Sequence, residues 1–265
     1  MTELSTDLLL SAKNLTKHFG GLAAVNDVSI NLYRGQIHAV IGPNGAGKST
    51  LTNLVSGDLA LTSGSIQLNG HDVTGWRAEK ISKQGLGRSF QKTNVFLPLS
   101  VWDNVRLAAQ SRDTQQPWNP LTWFKSSQNA MNSIAVQSTN MPVLEIIKLC
   151  KLENRMYAIA GTISHGEQRQ LEIAMTLATQ PQVLLLDEPL AGMGVAEAER
   201  MIELLHTLKK DHAMLLVEHD MDAVFALADK LTVMVNGQVI ASDSPSKVRA
   251  DAKVQAAYLG EEEHV

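Results

Sequence analysis

Three largely apolar runs stand out in the pattern of hydrophobic and polar positions along the chain, at residues 36–41, 183–186 and 213–217. Strands that are buried on both faces of a sheet read as unbroken runs of this kind. Between the second and third runs, apolar residues recur at the spacing of one helix face. These residues are Met201, Leu204, Leu205 and Leu208. The order of run, helix and run predicts a parallel strand, helix, strand unit.

Other segments have the pattern of antiparallel strands. Residues 8–15 form a strand-like segment, and apolar residues alternate with polar ones over residues 28–32. Asn-Gly dipeptides at residues 69–70 and 236–237 each separate two short strand-like runs. Asn-Gly in that place is typical of a two-residue hairpin with a type I′ turn. We therefore expect a β-subdomain near the N-terminus and another strand pair late in the chain.

Helical patterns occupy the middle and the end of the chain. A helix is predicted after Ser100, which is followed by an aspartate three residues later in the manner of a capping box. Further helices are predicted over residues 143–150, 164–178 and 246–258. Residues 111–140 are rich in Ser, Gln, Asn and Pro and have little periodicity, so the sequence predicts no regular structure there. The middle third therefore reads as a helical insertion.

Composition narrows the class of protein. The chain has 265 residues, 44% of them apolar, which is enough for one large α/β domain or a domain with a subdomain. A net charge of −4 gives no basic footprint for nucleic acid. The single cysteine, Cys150, excludes an internal disulfide, and the first residues lack the pattern of a secretory signal. No apolar run approaches the ~20 residues that cross a bilayer, so we expect a cytoplasmic protein that reaches the membrane through a partner.

The loop that follows the first apolar run has the composition of a phosphate-binding loop. A triphosphate wrapped by backbone N–H groups requires a loop with glycine-only dihedrals and no bulky side chains. Lys48 would reach the β- and γ-phosphates, Ser49 would hold Mg²⁺ through its hydroxyl, and the helix N-terminus would add its positive end. The residues expected to contact the nucleotide here are Gly42, Asn44, Gly45, Ala46, Gly47, Lys48, Ser49 and Thr50.

The second and third apolar runs end in side chains suited to hydrolysis. Ligand sites in open α/β sheets lie at the carboxyl ends of the strands, and Asp187 and Glu188 follow the second run. Asp187 would hold a water on Mg²⁺, while Glu188 would accept a proton from the water that attacks the γ-phosphate. His219 follows the third run and would emerge at the same edge, where it could bridge Glu188 and the γ-phosphate.

Residues 163–168 form a second candidate anion site. Ser164 and Glu167 have capping-box spacing, so this segment could simply start a helix. A serine and Gly166 at a helix N-terminus could also clasp a γ-phosphate presented by another subunit. The helix start alone leaves both interpretations open.

These motifs, in this order, resemble the ABC-transporter ATPase family. The resemblance includes the phosphate loop, Gln91 at the family's Q-loop, the signature at residues 164–168, the acidic pair Asp187-Glu188 and the switch histidine His219. It implies a single ABC ATPase domain, an α/β P-loop NTPase with an antiparallel β-subdomain and an inserted helical subdomain. Residues 1–91 and 180–265 would form the nucleotide-binding core with its β-subdomain, and residues 92–179 the helical signature subdomain.

The resemblance also implies ligands and roles for particular residues. ATP and Mg²⁺ would be the cofactors, and Phe19, which would otherwise be assigned to the core, would stack on adenine. Catalysis would use Glu188, His219 and Gln91. The metal ligands would be Ser49, Gln91 and Asp187. The signature residues Ser164, Gly166 and Gln168 would complete the nucleotide site of a second ABC ATPase subunit, identical or related.

Within the family, residues 19–22, 190–193, 218–221 and 257–260 look like those of branched-chain amino acid importers. The partners would be transmembrane permease subunits, indirectly a solute-binding protein, and no nucleic acid. The chain would lie peripherally on the cytoplasmic face of the inner membrane, with residues 93–99 as the candidate docking segment. Similar ATPases serve urea, amide and aromatic-acid importers. The motifs also leave open a soluble ABC ATPase without a transport role and a P-loop nucleotide kinase.

Two positions depart from the family pattern. The usual signature has two glycines where this chain has His165 and Gly166. The aspartate that usually follows the acidic strand is replaced by Gly194. In the family that aspartate reaches the site of the opposite subunit, so we expect altered communication between the two sites.

Overall fold

The computed structural model describes residues 7–89, 94–112 and 143–259. The chain divides into two compact units. Unit 1 comprises Met1–Thr93 and Pro181–Val265, and unit 2 comprises Asn94–Gln180.

Strands occur in unit 1, among the residues that the structure describes. They are β1 (Leu8–Phe19), β2 (Leu22–Tyr33), β3 (Ile37–Ile41), β4 (Ser63–Leu68), β5 (His71–Asp72), β6 (Leu86–Arg88), β7 (Val183–Asp187), β8 (Ala213–Val217), β9 (Lys230–Val235) and β10 (Gln238–Asp243). The helices of both units are α1 (Lys48–Ser56), α2 (Ala78–Lys83), α3 (Val101–Gln110), α4 (Val143–Leu149), α5 (His165–Ala178), α6 (Val195–Leu208), α7 (Met221–Leu227), α8 (Pro245–Arg249) and α9 (Ala252–Leu259).

The predicted β-subdomain is an antiparallel sheet with the order β2-β1-β4-β5. Its β4–β5 hairpin turns through Asn69 and Gly70, whose φ angles are 52° and 77°. Positive φ at both central residues is the requirement of a type I′ turn, so this prediction is confirmed. The buried side chains of β1 and β2 pack in one apolar core with those of α1, β7 and β8.

The second sheet of unit 1 has the order β10-β9-β3-β8-β7-β6. Strands β9, β3, β8, β7 and β6 run parallel to one another, and β10 pairs antiparallel with β9. Every residue of β3, β7 and β8 is buried, which explains why these strands read as unbroken apolar runs. The predicted parallel unit of β7, α6 and β8 is confirmed. The carboxyl ends of β3, β7 and β8 consequently lie at one edge of the sheet.

Unit 2 is helical, with α3, α4 and α5 packed against one another. Ser100 caps α3 by accepting a hydrogen bond from the Asp103 N–H at 3.0 Å, as its sequence pattern predicts. Cys150 directly follows α4 and is buried, and burial raises the pKa of its thiol to about 12. This cysteine is therefore an inert core residue.

The single helix predicted over residues 246–258 is wrong, because α8 and α9 occupy this segment separately. The break falls at Ala250 and Asp251, where the Asp251 carboxylate accepts the Lys253 N–H at 2.8 Å. A short aspartate side chain that bonds the backbone two residues on competes with helical pairing and starts a new turn. No helix in the described ranges is long and apolar enough to cross a membrane.

Candidate functional site

The predicted phosphate loop connects β3 to α1 and depends on glycine at two close approaches. Gly47 has a φ of 99°, and a Cβ built on it would lie 2.3 Å from the carbonyl oxygen of Ala24. A Cβ on Gly42 would lie 2.1 Å from the carbonyl oxygen of Met234. Only glycine fits at either position. The loop backbone therefore packs directly on neighbouring strands, while Asn44 and Gly45 remain exposed.

The helix that follows the loop presents its N-terminus without a competing acid. Its first turn contains Lys48, Ser49 and Thr50 and no carboxylate, and its C-cap is Gly57. The Lys48 ammonium donates hydrogen bonds to the carbonyl oxygens of Gly42 and Pro43, the latter at 3.0 Å. A cation folded back over a loop that starts a helix is suited to an anionic ligand.

Phe19 lies at the end of β1, opposite Leu22 of β2. Its side chain is 50% exposed, so the core role that Phe19 would have without the resemblance is wrong. The Lys17 ammonium sits 5.2 Å from the centroid of the ring, within the range of a cation–π contact. An exposed aromatic face of this kind is available for stacking on a base.

Asp187 is the last residue of β7 and Glu188 follows it, and the two side chains have different surroundings. Asp187 is buried, and its carboxylate lies 3.8 Å from the Arg88 guanidinium. The Glu188 N–H donates to the carbonyl oxygen of Val217 at 2.9 Å, which continues the β7–β8 register by one residue. Glu188 itself adopts a φ of 50° and starts the turn that follows β7. The strand end thus carries one buried carboxylate, Asp187, followed by one that is partly exposed, Glu188.

His219 lies beside Glu188, as the order of strands predicts. Its Nδ1 atom is 3.7 Å from Oε1 of Glu188, and most of the imidazole is exposed. The adjacent strands β7 and β8 are parallel, so their following residues emerge together. This arrangement places a carboxylate and an imidazole side by side at the sheet edge.

Glu218, a buried residue next to His219, is a further part of this site that was not predicted from the sequence. The residue is 1% exposed and accepts the N–H groups of Leu190 at 3.1 Å and His219 at 3.3 Å. Burial raises the pKa of its carboxyl, and these hydrogen bonds oppose that rise. The signal in the sequence was an acidic residue directly after an apolar strand, a place where carboxylates are seldom buried without a partner.

The signature residues lie in unit 2, at the N-terminus of α5. The Ser164 hydroxyl accepts the Glu167 N–H at 3.2 Å, and the Glu167 carboxylate accepts the Ser164 N–H at 2.9 Å. The capping box is therefore confirmed. The Gln168 amide donates to the carbonyl oxygen of Ala160 at 3.0 Å, and Gly166 is buried in the first turn.

Two of the predicted metal ligands have the donor chemistry that Mg²⁺ requires. Ser49 supplies a hydroxyl oxygen on the first turn of α1, and Asp187 supplies a carboxylate oxygen at the end of β7. Mg²⁺ binds oxygen ligands of this kind together with phosphate and water. The third predicted ligand, Gln91, lies outside the described residues.

Comparison with protein families gives two matches. A family described as ABC transporter matches residues 25–191, which is more than half of the chain. A second family, described as branched-chain amino acid ATP-binding cassette transporter, matches residues 238–264.

Individual proteins resemble the chain over nearly its whole length. The high-affinity branched-chain amino acid transport ATP-binding protein LivG of Escherichia coli K12 is 36% identical over 255 residues, covering 96% of this chain and 98% of LivG. BraF of Pseudomonas aeruginosa, which carries the same description, is 35% identical over 260 residues, with the same coverage. Among solved structures, an ATP-binding cassette of an ABC transporter in its ADP conformation is 30% identical with a TM-score of 0.78, covering 96% of this chain and all of that one.

Proposed function

Because this chain belongs to the ABC transporter ATP-binding family, we propose that it hydrolyses ATP within a head-to-tail dimer and thereby drives the uptake of branched-chain amino acids. The proposal combines the family with the geometry of the sheet edge. Its relatives LivG and BraF bear the name of branched-chain amino acid transport proteins.

One observation carries the proposal. The phosphate loop after β3, the acids at the end of β7 and the imidazole after β8 lie at one edge of the six-stranded sheet of unit 1. None of these elements could hydrolyse ATP by itself. A phosphate loop only binds phosphate, an acid only accepts a proton, and a histidine only makes a polar contact. Together they supply the parts that phosphoryl transfer to water needs, which are phosphate binding, charge compensation and a water-activating group.

In the proposed reaction, the loop N–H groups and Lys48 hold the β- and γ-phosphates and compensate their charge. Ser49, Asp187 and Gln91 would hold Mg²⁺, which when bound neutralises charge on the phosphates. The Glu188 carboxylate accepts a proton from the attacking water, a contribution of about 10²–10⁴-fold in rate. His219 lies 3.7 Å from that carboxylate and would bridge it to the γ-phosphate. Phe19 stacks on adenine.

The second half of each nucleotide site would come from the partner ATPase subunit. Ser164 and Gly166 stand at the N-terminus of a 14-residue helix, and that end of a helix attracts a γ-phosphate. Gln168 lies in the same first turns. In a head-to-tail dimer, the signature of one subunit faces the phosphate loop of the other, so each ATP is bound by both.

Unit 2 offers a surface for the transmembrane permease at the cytoplasmic face of the inner membrane. Phe96 is 55% and Tyr157 72% exposed, on two segments that run side by side. The segments are joined by a hydrogen bond of 2.9 Å from the Gly161 N–H to the Leu97 carbonyl oxygen and by a bridge between Ser100 and Ile159. Exposed apolar side chains in such a cluster mark interaction surfaces. The solute-binding protein would contact the permease and not this chain.

The ATPase part of the proposal is tested with Lys48→Ala. The substitution removes the cation from the phosphates and leaves the glycines that shape the loop, so we expect loss of tight ATP binding in a folded protein. Isothermal titration with ATP and a thermal melt measure the two properties. Lys17→Ala removes a cation from the same unit, but one expected near the adenine base and not near the phosphates. It should weaken ATP binding far less. Unchanged affinity in Lys48→Ala would refute the phosphate-loop assignment.

The transport part is tested by copurification from native membranes. The expected result is a complex with membrane-embedded permease subunits, together with a solute-binding protein that binds branched-chain amino acids. A complex whose binding protein takes another solute would retain the ATPase mechanism and overturn the proposed cargo.

A further inference from the structure

The turn that carries Glu188 has an unusual backbone. Glu188 adopts a φ of 50°, in the left-handed region that favours glycine and, among other residues, asparagine and aspartate. Such a conformation persists only where the surroundings enforce it. The side chain proposed to activate water therefore depends on groups that hold its backbone.

Two of those groups come from the end of β8. The Glu188 N–H donates to the carbonyl oxygen of Val217 at 2.9 Å. Pro189 has no N–H to donate. The Leu190 N–H donates to Oε1 of Glu218 at 3.1 Å. Val217 and Glu218, which are consecutive, thus hold the N–H groups of Glu188 and Leu190, and the Ala191 N–H closes the turn on the Glu188 carbonyl oxygen at 3.2 Å.

Glu218 is built into this position. Its other oxygen, Oε2, accepts the His219 N–H at 3.3 Å and lies 3.9 Å from Nδ1 of the same histidine. One buried carboxylate therefore accepts hydrogen bonds from the turn that follows Glu188, through the Leu190 N–H, and from the His219 N–H. Placing an acid in the interior costs free energy, and a smaller neutral residue would avoid that cost.

We propose that Glu218 is a positioning residue for the hydrolytic pair, fixing the turn that aims the Glu188 carboxylate and the loop that presents the His219 imidazole. The inference rests on the proposed function, since it needs Glu188 to act on water. Glu218 has no contact with the nucleotide in this role and acts through the two residues it holds.

Substitutions separate the role of its hydrogen bonds from that of its charge. Glu218→Ala removes both bonds and is expected to lower kcat for ATP hydrolysis by about tenfold to a hundredfold, because small displacements of catalytic groups have effects of this size. KM for ATP should change by less than about threefold, since the phosphate loop is untouched. Glu218→Gln keeps a carbonyl acceptor for the Leu190 N–H at full length. It should retain more activity than Glu218→Asp, which keeps the charge but is one methylene shorter.

Thr232→Val is the matched control. Thr232 is buried in β9 of the same sheet, and its hydroxyl bonds the His38 imidazole at 2.7 Å, so the variant also loses a buried polar contact. Its kcat should stay close to that of the wild type. Hydrogen exchange should accelerate over residues 188–194 in Glu218→Ala and not in Thr232→Val, because only the former frees the Leu190 N–H.

The outcomes distinguish the two proposals. If wild type hydrolyses ATP and Glu188→Gln does not, but Glu218→Ala matches Thr232→Val in kcat, the positioning role is overturned and the proposed function stands. If Glu218→Asp is more active than Glu218→Gln, charge and not backbone positioning is the contribution, which also overturns it. If neither wild type nor any variant hydrolyses ATP, the proposed function fails first. If Glu218→Ala does not fold, the comparison of kcat between Glu218→Gln and Glu218→Asp still tests the positioning role.

Discussion

Buried polar side chains in unit 1 are held by specific partners, and His38 is the clearest example. It lies near the start of β3, the strand that leads into the phosphate loop, and is buried. Its Nε2 atom is 2.7 Å from the Thr232 hydroxyl, which in turn is 2.7 Å from the Ser242 hydroxyl. Burial, reinforced by the nearby Lys230 charge, lowers the pKa of His38 from 6.5 to about 4. The folded protein therefore keeps this imidazole neutral.

This shift predicts acid sensitivity. Between the folded and unfolded pKa values, the unfolded chain binds the proton and the folded one does not, so stability falls as pH drops from about 6.5 to about 4. A shift of this size corresponds to on the order of 3 kcal/mol. In His38→Gln that part of the loss should disappear, so the free energy of unfolding should depend less on pH. Urea unfolding at pH 7 and at about pH 4.5 measures the difference.

The exposed His71 of β5 provides the control for this prediction. His71→Gln should show the same pH dependence as the wild type. If His38→Gln also keeps the wild-type slope, another group is responsible for any acid sensitivity, and the buried, neutral state assigned to His38 is wrong.

Residues were predictable from the sequence where a spacing or a strand end forced their chemistry. The phosphate loop, Glu188 and His219 follow from apolar runs that end in glycine, acid or histidine. Glu218 was missed because its role depends on a hydrogen bond to Leu190, 28 residues away, and no local pattern encodes that contact. The site assignments themselves stay predictions, and Gln91 lies outside the described residues.

At the scale of elements, helix α6 begins without a capping side chain. Gly194 occupies the N-cap, and its carbonyl oxygen accepts the N–H groups of Glu197 at 3.0 Å and Ala198 at 2.9 Å. Its φ of −71° is open to any residue, and a Cβ built on it meets nothing within 4 Å. The backbone therefore does not require glycine here. The aspartate that is usual in the family can be introduced at this position without strain.

Gly194→Asp and Gly194→Ser should both stabilise the protein by about 0.5–1 kcal/mol, since each adds an N-cap oxygen and restricts the unfolded chain. Thermal melts measure this gain. Only aspartate restores the carboxylate that the family directs to the opposite subunit's site. We therefore expect Gly194→Asp, and not Gly194→Ser, to raise the Hill coefficient for ATP. Equal Hill coefficients in the two variants would contradict a role for this position in communication between sites.

Elements were predicted best where pattern and cap agreed. The start of α5 after Ser164 and the type I′ turn at Asn69-Gly70 each combine a hydrophobic period with a residue that stops or starts the element. The C-terminal segment was predicted as one helix because its apolar period continues through residue 251. The period carries no information on the Asp251 side chain, which bonds the backbone and divides the segment.

At the scale of the whole molecule, the proposed mechanism needs two ATPase subunits. Glu188→Gln keeps the shape of the side chain and removes its basicity, so ATP should remain bound and a head-to-tail dimer should accumulate. Wild type should hydrolyse ATP and separate. Size-exclusion chromatography with saturating Mg-ATP measures the dimer, for the chain alone and with the related ATPase of its importer. A monomer in both mixtures would show that the composite site is wrong for this chain.

Ser164→Arg in the Glu188→Gln background should abolish that dimer, because a long side chain at the start of α5 blocks the approach of the partner's phosphate. Ser100→Arg is the matched control, since Ser100 caps α3 of the same unit in the same way. It should leave the dimer intact. Loss of the dimer in both variants would indicate damage to unit 2 instead of loss of a phosphate contact.

The strand order of unit 1 also determines which sheet can form first while the chain is being synthesised. The antiparallel sheet is complete by residue 72, whereas β3 is flanked by β8 and β9, which begin only at residues 213 and 230. At ribosomal rates, β3 waits roughly 10 to 40 s for its neighbours. Throughout that interval a nascent chain carries an apolar strand with two open edges. We therefore expect a chaperone to bind β3, the strand that precedes the phosphate loop, for longer than other strands. Chains that end before β8 are expected to aggregate.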